Sequence, residues 1–156
     1  MIMKGVYTYE YPRPALTADV LVFSHDRKEV ILIRRKNEPY KDCWALPGGF
    51  MDMDETIEQC AVRELKEETN IDVSDLYLIG VFSKVDRDPR GRTVTVAYYC
   101  FVDKETTAIK ALDDAAEIAW CKIDSMPVLA FDHKEVIEKA LAMIDKCNRK
   151  LTAILK

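Results

Sequence analysis

No hydrophobic run in this sequence is long enough to cross a bilayer. Its longest apolar stretches, such as Val20-Leu21-Val22-Phe23 and Val30-Ile31-Leu32-Ile33, are strand-sized, and a spanning helix needs about 20 such residues. No apolar segment follows Met1-Ile2-Met3-Lys4, so no secretory leader is expected. Cysteine pairs are also missing. Cys43, Cys60, Cys100, Cys121 and Cys147 are widely spaced, odd in number and form no CxxC. They read as reduced thiols of a cytoplasmic protein. There is no excess of positive charge: 23 Lys and Arg face 27 Asp and Glu, for a net charge of −4. That argues against a nucleic-acid polymer as the main partner, and nothing here points to a membrane. Repeats, low-complexity tracts and Pro/Gly/Ser linkers are absent too. The 156 residues are therefore expected to form one domain, 1–156, with 1–13 as an N-terminal arm.

What is present is ordinary globular material, 49% hydrophobic and 32% charged. Val, Leu and Phe concentrate in Leu16 to Phe23, and a polar turn at His25 to Lys28 leads into Glu29 to Arg34. This pattern predicts a hairpin. A short strand over Cys43 to Leu46 is expected to stop at Pro47-Gly48-Gly49. Further strands are expected over Leu76 to Val85, Thr93 to Val102 and Ala116 to Ile123. Two helices are expected. One starts at Asp54 as N-cap and ends at Asn70, which tolerates the left-handed conformation of a C-cap. The other covers His133 to Ile144, with Val136, Ile137, Ala140, Leu141 and Ile144 on one side. The sum is an α/β fold, a mixed sheet with helices.

The chemistry concentrates between Gly49 and Ile71. At about 100° per residue, Ile57, Ala61, Glu64, Glu68 and Ile71 fall within about 80° of one another, with Glu67 roughly 60° to the other side of Glu64. Glu64 and Glu68 thus continue the apolar stripe. Burying acids on that side is costly unless they are paired or bind metal. A hard divalent cation resolves the cost, since Mg²⁺ takes carboxylate oxygens, water and substrate phosphates. A solvated face of helix ion pairs is the competing reading, and Lys66 suits it. Gly48 and Gly49 let the backbone approach a ligand closely, although a plain tight turn would use the same residues.

This stretch resembles the signature of the Nudix hydrolase family, carried by Gly49, Glu55, Arg63, Glu64, Leu65, Glu67, Glu68 and Ile71. Asn70 stands where the family usually has Gly. The resemblance implies an α/β/α sandwich around a mixed sheet and a Mg²⁺ site, with Mn²⁺ as an alternative. It implies metal ligation by Glu64, Glu67, Glu68 and the Gly48 carbonyl. One of those glutamates or a distant acid would be the general base. Gly49, Glu55 and Arg63 would hold the box in shape.

Outside the box, several segments look like ADP-ribose pyrophosphatases: Tyr11 to Ala15, Ile33 to Lys36, Trp44 to Phe50, Asp86 to Gly91, Asp113 to Ala115 and Leu129 to His133. They are similar as well to the Nudix domain of NrtR-type regulators, which add a C-terminal DNA-binding domain. The chain ends at Lys156, and the box is intact, so an enzyme is expected rather than a sensor. The implied substrate is ADP-ribose, split to AMP and ribose 5-phosphate. Two alternatives stay open: a MutT-like nucleoside triphosphate pyrophosphohydrolase, and a non-catalytic ADP-ribose-sensing domain. Arg35, Arg87 and Arg90 are candidate phosphate or base contacts, and Trp44 and Phe50 candidate stacking residues. Asp113, Asp114 and Glu117 are candidate extra acids. His133 reads as a helix-start residue. Related enzymes often dimerise, so the resemblance allows a homodimer in which the arm could share the substrate site.

Overall fold

The computed structural model describes residues 7–111 and 115–154. It contains strands β1 (Ala15–Ser24), β2 (Glu29–Arg35), β3 (Trp44–Ala45), β4 (Gly48–Phe50), β5 (Tyr77–Phe82), β6 (Thr93–Val102) and β7 (Ala115–Lys122). Helix α1 spans Ile57–Thr69 and helix α2 spans His133–Ile154. The strands form one mixed sheet, in which β1 and β6 run parallel over ten register pairs from Ala15↔Thr93 to Ser24↔Val102.

Side-chain alternation along β1 decides where the helices go. Leu21 and Phe23 join Val30, Leu32 and Ala97 in a core closed by Val136, Ile137, Ala140 and Ile144 of α2. Ala18, Val20 and Val22 join Ile31, Tyr98 and Cys100 in a second core closed by Cys60, Ala61 and Leu65 of α1. Successive strand residues face opposite sides, so the two helices cover opposite faces and the architecture is the expected α/β/α sandwich. No helix among the described residues is long and apolar enough to cross a membrane.

The sheet forks between β1 and β2. The two strands share only the pair Phe23↔Val30, at the hairpin end. Beyond it, β4 pairs antiparallel with β1 through Thr17↔Phe50, Ala18↔Gly49 and Asp19↔Gly48. On the other side of the split, β3 pairs with β2. The open end of the fork is where the candidate site lies.

Four expectations are corrected here. Pro47-Gly48-Gly49 does not simply end a strand: Gly48 and Gly49 lie in β4, because β1 offers them an unpaired edge. The α1 N-cap is Thr56 rather than Asp54. Its side chain accepts from Gln59 N–H at 3.3 Å, and the Gln59 side chain accepts from Thr56 N–H at 2.7 Å; this reciprocal box satisfies two end donors at once. Strand β5 stops at Phe82, and α2 runs on past Ile144 to Ile154. At the other end of α1, Asn70 takes a left-handed φ of 64°, and its N–H bonds to Lys66 O. Met1 to Val6 of the arm lie outside the described residues. Within its remainder, Tyr7 stacks on Tyr9, and the Arg13 guanidinium sits 4.0 Å from the Tyr9 ring.

Candidate active site

A cavity of about 610 Å³ opens at the fork, within the usual range for small-molecule sites. One wall is α1 with Glu64, Glu67 and Glu68; the floor is Thr17 and Asp19 of β1 with Gly48 and Gly49 of β4; the far wall carries Arg35, Phe50, Arg87, Arg90 and Phe131.

The acids of α1 reach this cavity to different degrees. Glu68 is buried, the Glu64 side chain is 15% exposed, and the Glu67 side chain is 46% exposed. The helical wheel placed them in that relation. Glu68 Oε2 accepts the backbone N–H of Gly48 at 2.9 Å, tying α1 to β4. Arg63 lies at the centre of the box. It donates to Glu55 at 2.9 and 2.6 Å, to Glu64 Oε1 at 2.7 Å, to Glu67 Oε2 at 3.1 Å and to the Phe50 carbonyl at 3.1 Å. Glu55 in turn accepts Asp52 N–H at 2.8 Å. Its hydrogen bonds from Arg63, together with that backbone donor, outweigh burial and draw the Glu55 carboxyl down to about 2. Burial pushes Glu64 the other way, above the ordinary carboxylate value, although Arg63 opposes the shift. Beneath them, burial pushes the Cys60 thiol up to about 12, so it stays a neutral packing group.

Gly49 leaves a cradle for one of these acids. A side-chain carbon at that position would lie 2.5 Å from the carboxylate carbon and both oxygens of Glu64. Gly48 is equally confined, since a side-chain carbon there would collide with the Ala18 carbonyl and lie 2.7 Å from Asp19 Oδ1.

The donor set suits a hard divalent cation: partly buried carboxylates at the mouth of a polar cavity, one of them disfavoured as an anion by burial. Among the described residues no three acids, histidines or cysteines converge as a ready-made cage. Arg63 draws Glu64 and Glu67, while Gly48 N–H draws Glu68. Mg²⁺ is usually bound through one or two carboxylates with water and substrate phosphates, so these residues fit it.

The far wall is aromatic and cationic. The Arg90 guanidinium lies 4.8 Å from the Phe50 ring and 5.5 Å from the Phe131 ring, and Arg35 lies 4.9 Å from Phe131. Asp88 holds Arg90 through its Nη2 at 2.7 Å and its backbone N–H at 2.9 Å. Arg35 Nε also donates to the Pro39 carbonyl at 2.8 Å. Arg87 differs from the loop residue the sequence suggested. It is buried in a two-bond pair with Asp132, at 2.9 and 2.6 Å, and its charge is committed to that partner. Trp44 is also placed elsewhere. It does not line the cavity but packs against the α2-side core. Asp113 and Asp114 lie outside the described residues. Glu117 lies on β7 near Arg34 at 3.7 Å and does not line the cavity.

Sequence reasoning did not single out Phe131, Asp88 or Asp19. Phe131 takes a left-handed φ of 53°, rare for a bulky residue. Asp19 left a visible signal, an acid inside the apolar run Ala18 to Phe23. His133 is buried, with Nδ1 accepting Leu46 N–H at 2.9 Å, and burial holds its imidazole below the ordinary value.

Comparison with known proteins adds to this geometry. The family model described as NUDIX domain matches residues 13–142. An ADP-ribose pyrophosphatase of Methanocaldococcus jannaschii is 42% identical over 128 residues, covering 82% of this chain and 73% of that protein. An ADPR responsive transcriptional repressor of Acinetobacter baylyi is 34% identical, and its match covers 90% of this chain but 58% of the repressor. Among solved structures, the NUDIX domain of Shewanella oneidensis NrtR in complex with ADP ribose superposes with a TM-score of 0.78 at 31% identity, covering 86% of this chain and 90% of that one. A bifunctional NMN adenylyltransferase/ADP ribose pyrophosphatase from Francisella tularensis, complexed with AMP and a Mn ion, superposes with a TM-score of 0.75 at 33% identity, covering 86% of this chain and 43% of that one. A family match across most of the chain and a glutamate-bearing helix facing a forked sheet lead to one assignment: this chain belongs to the Nudix family.

Proposed function

We propose that this chain is a Nudix hydrolase that cleaves the diphosphate of ADP-ribose, with Mg²⁺ or Mn²⁺, giving AMP and ribose 5-phosphate. One observation carries the reading. A single cavity sets the α1 acids opposite an aromatic and cationic wall built from Phe50, Arg90, Phe131 and Arg35. A nucleotide with a diphosphate in its middle has matching needs: metal and acids at the anhydride, flat faces at the base.

Glu64, Glu67, Glu68 and the Gly48 carbonyl would hold the cation. Bound there, it would reduce the repulsion between an anionic diphosphate and an approaching water and make that water more acidic. The chain's own residues do the rest. A carboxylate of α1 takes the proton of the attacking water, a contribution of about 10²–10⁴-fold. Arg63 aims Glu64 and Glu67 through its hydrogen bonds while locking Glu55. Arg35 and Arg90 supply positive charge and planar contacts along the far wall. Trp44, turned into the core, takes no part.

The same reading includes a cytoplasmic homodimer. Five free cysteines suit a reducing compartment. Tyr7, Tyr9 and Tyr11 are exposed on the arm, and a second copy would cover them. Light scattering on the purified chain tests this.

Product analysis tests the function. ADP-ribose, oxidised dGTP and other dinucleotides are incubated with and without Mg²⁺ and the products separated. AMP from ADP-ribose with Mg²⁺ is the expected result. Pyrophosphate from oxidised dGTP as the dominant product would replace the reading with a triphosphatase, and binding of ADP-ribose without turnover would make the chain a sensor.

A further inference from the structure

Strand β4 has carboxylates on both faces. The missing side chain of Gly49 leaves room for Glu64, and that of Gly48 leaves room for Asp19. Adjacent strand residues point to opposite sides, so Glu64 lies in front of β4 and Asp19 behind it. Asp19 is buried and is the register partner of Gly48. Its Oδ2 accepts the Thr95 hydroxyl at 2.5 Å, and its Oδ1 faces His133 Nε2 at 3.7 Å.

His133 joins this group to the chain just ahead of Gly48. Nδ1 is the acceptor for Leu46 N–H, so the proton of the neutral ring sits on Nε2, toward Asp19. The segment Leu46-Pro47-Gly48 therefore has three anchors. Leu46 N–H is held by His133, the Pro47 carbonyl accepts Val20 N–H at 2.8 Å, and Gly48 N–H is held by Glu68. Only the His133 anchor reaches this segment from α2, across 87 residues of sequence.

We propose that His133 and Asp19 are positioning residues that hold β4 from behind, setting the Gly48 backbone against Glu68 and so the shape of the metal site. This rests on the diphosphate-hydrolase reading. Both line the cavity, and the role assigned to them is exerted through Leu46 and Gly48. Supporting groups of this kind typically contribute roughly 10–100-fold to metal affinity or activity.

The test uses His133→Phe, His133→Asn and Asp19→Asn in the full chain. Mn²⁺ affinity is read by electron paramagnetic resonance without substrate, beside melting temperature, kcat and KM. Phe fills the space but accepts no hydrogen bond, so Mn²⁺ binding should weaken roughly 10–100-fold and kcat should fall, with KM little changed. Asn keeps an acceptor where Nδ1 lies, and His133→Asn should recover most of both. Asp19→Asn removes the negative charge that faces the Nε2 proton and should weaken Mn²⁺ binding even if His133→Phe is too unstable to titrate. Lower melting temperatures with wild-type Mn²⁺ affinity in the folded variants would overturn the proposal, leaving these residues structural only. A wild-type chain that binds Mn²⁺ but hydrolyses no diphosphate would end the functional reading alone, because the Mn²⁺ titrations still decide positioning. A wild-type chain that binds no Mn²⁺ would overturn both.

Discussion

Arg63 grips Glu55 with two hydrogen bonds, of 2.9 and 2.6 Å, while its other terminal nitrogen reaches Glu64 at 2.7 Å. One guanidinium thus fastens the loop before α1 and holds an acid of the cavity. Arginine suits this because its planar fork binds a carboxylate at two points.

The first prediction concerns that pair. Glu55→Gln should cost about 1.5–3 kcal/mol, the scale of hydrogen bonds to charged groups. The acid dependence has a definite sign. The Glu55 carboxyl lies at about 2 in the folded chain against an ordinary 4.5. Its stabilisation is therefore complete above 4.5 and is lost as the pH falls toward about 2. Urea unfolding at neutral pH and at about pH 3 should show a smaller acid loss in Glu55→Gln than in the wild type. Parallel losses in both would contradict it.

The second prediction concerns space. Gly49→Ala puts a carbon where the Glu64 carboxylate lies. Overpacking should cost about 1–3 kcal/mol, read by thermal melting, and should raise the Mg²⁺ concentration needed for half-maximal activity as Glu64 is displaced. Unchanged stability and Mg²⁺ dependence would show that the cradle is dispensable.

The third prediction separates two arginines of the same loop. Arg87 is 3% exposed in its pair with Asp132. Arg87→Ala leaves a buried, uncompensated carboxylate and should destabilise by about 3–5 kcal/mol. Arg90 touches Phe50 and Phe131 from the cavity wall. It also pairs with the buried Asp88, so the test there is Arg90→Lys, which keeps a cation beside Asp88 but loses the planar face. This variant should keep the fold and raise KM for ADP-ribose by roughly 3- to 30-fold, the scale of planar cation contacts. Denaturation curves and steady-state kinetics on the two variants decide between these roles.

Much of the fold and the site is legible in the sequence because local chemistry carries it. Continuous apolar runs mark β1 and β2, and Asn70 marks the end of α1. The 3.6-residue period by itself turns Glu64 and Glu68 toward the core. The illegible parts depend on long-range partners. Gly48 and Gly49 look like a turn until β1 offers its edge. Arg87 reads as a phosphate or base contact until Asp132, 45 positions later, takes its charge. Trp44 and Ala45 share a two-residue strand, too short for a pattern, so the sequence leaves open which of them faces the cavity. The bond between His133 and Leu46 spans 87 positions, and no local signal foretells it.

The most direct measurement is turnover of ADP-ribose by Glu64→Gln at saturating Mg²⁺. Gln preserves the size of the side chain and removes its negative charge. The account predicts a loss in kcat on the order of 10²–10⁴-fold, with the melting temperature close to that of the wild type. A folded Glu64→Gln protein that turns over ADP-ribose at the wild-type rate would contradict it.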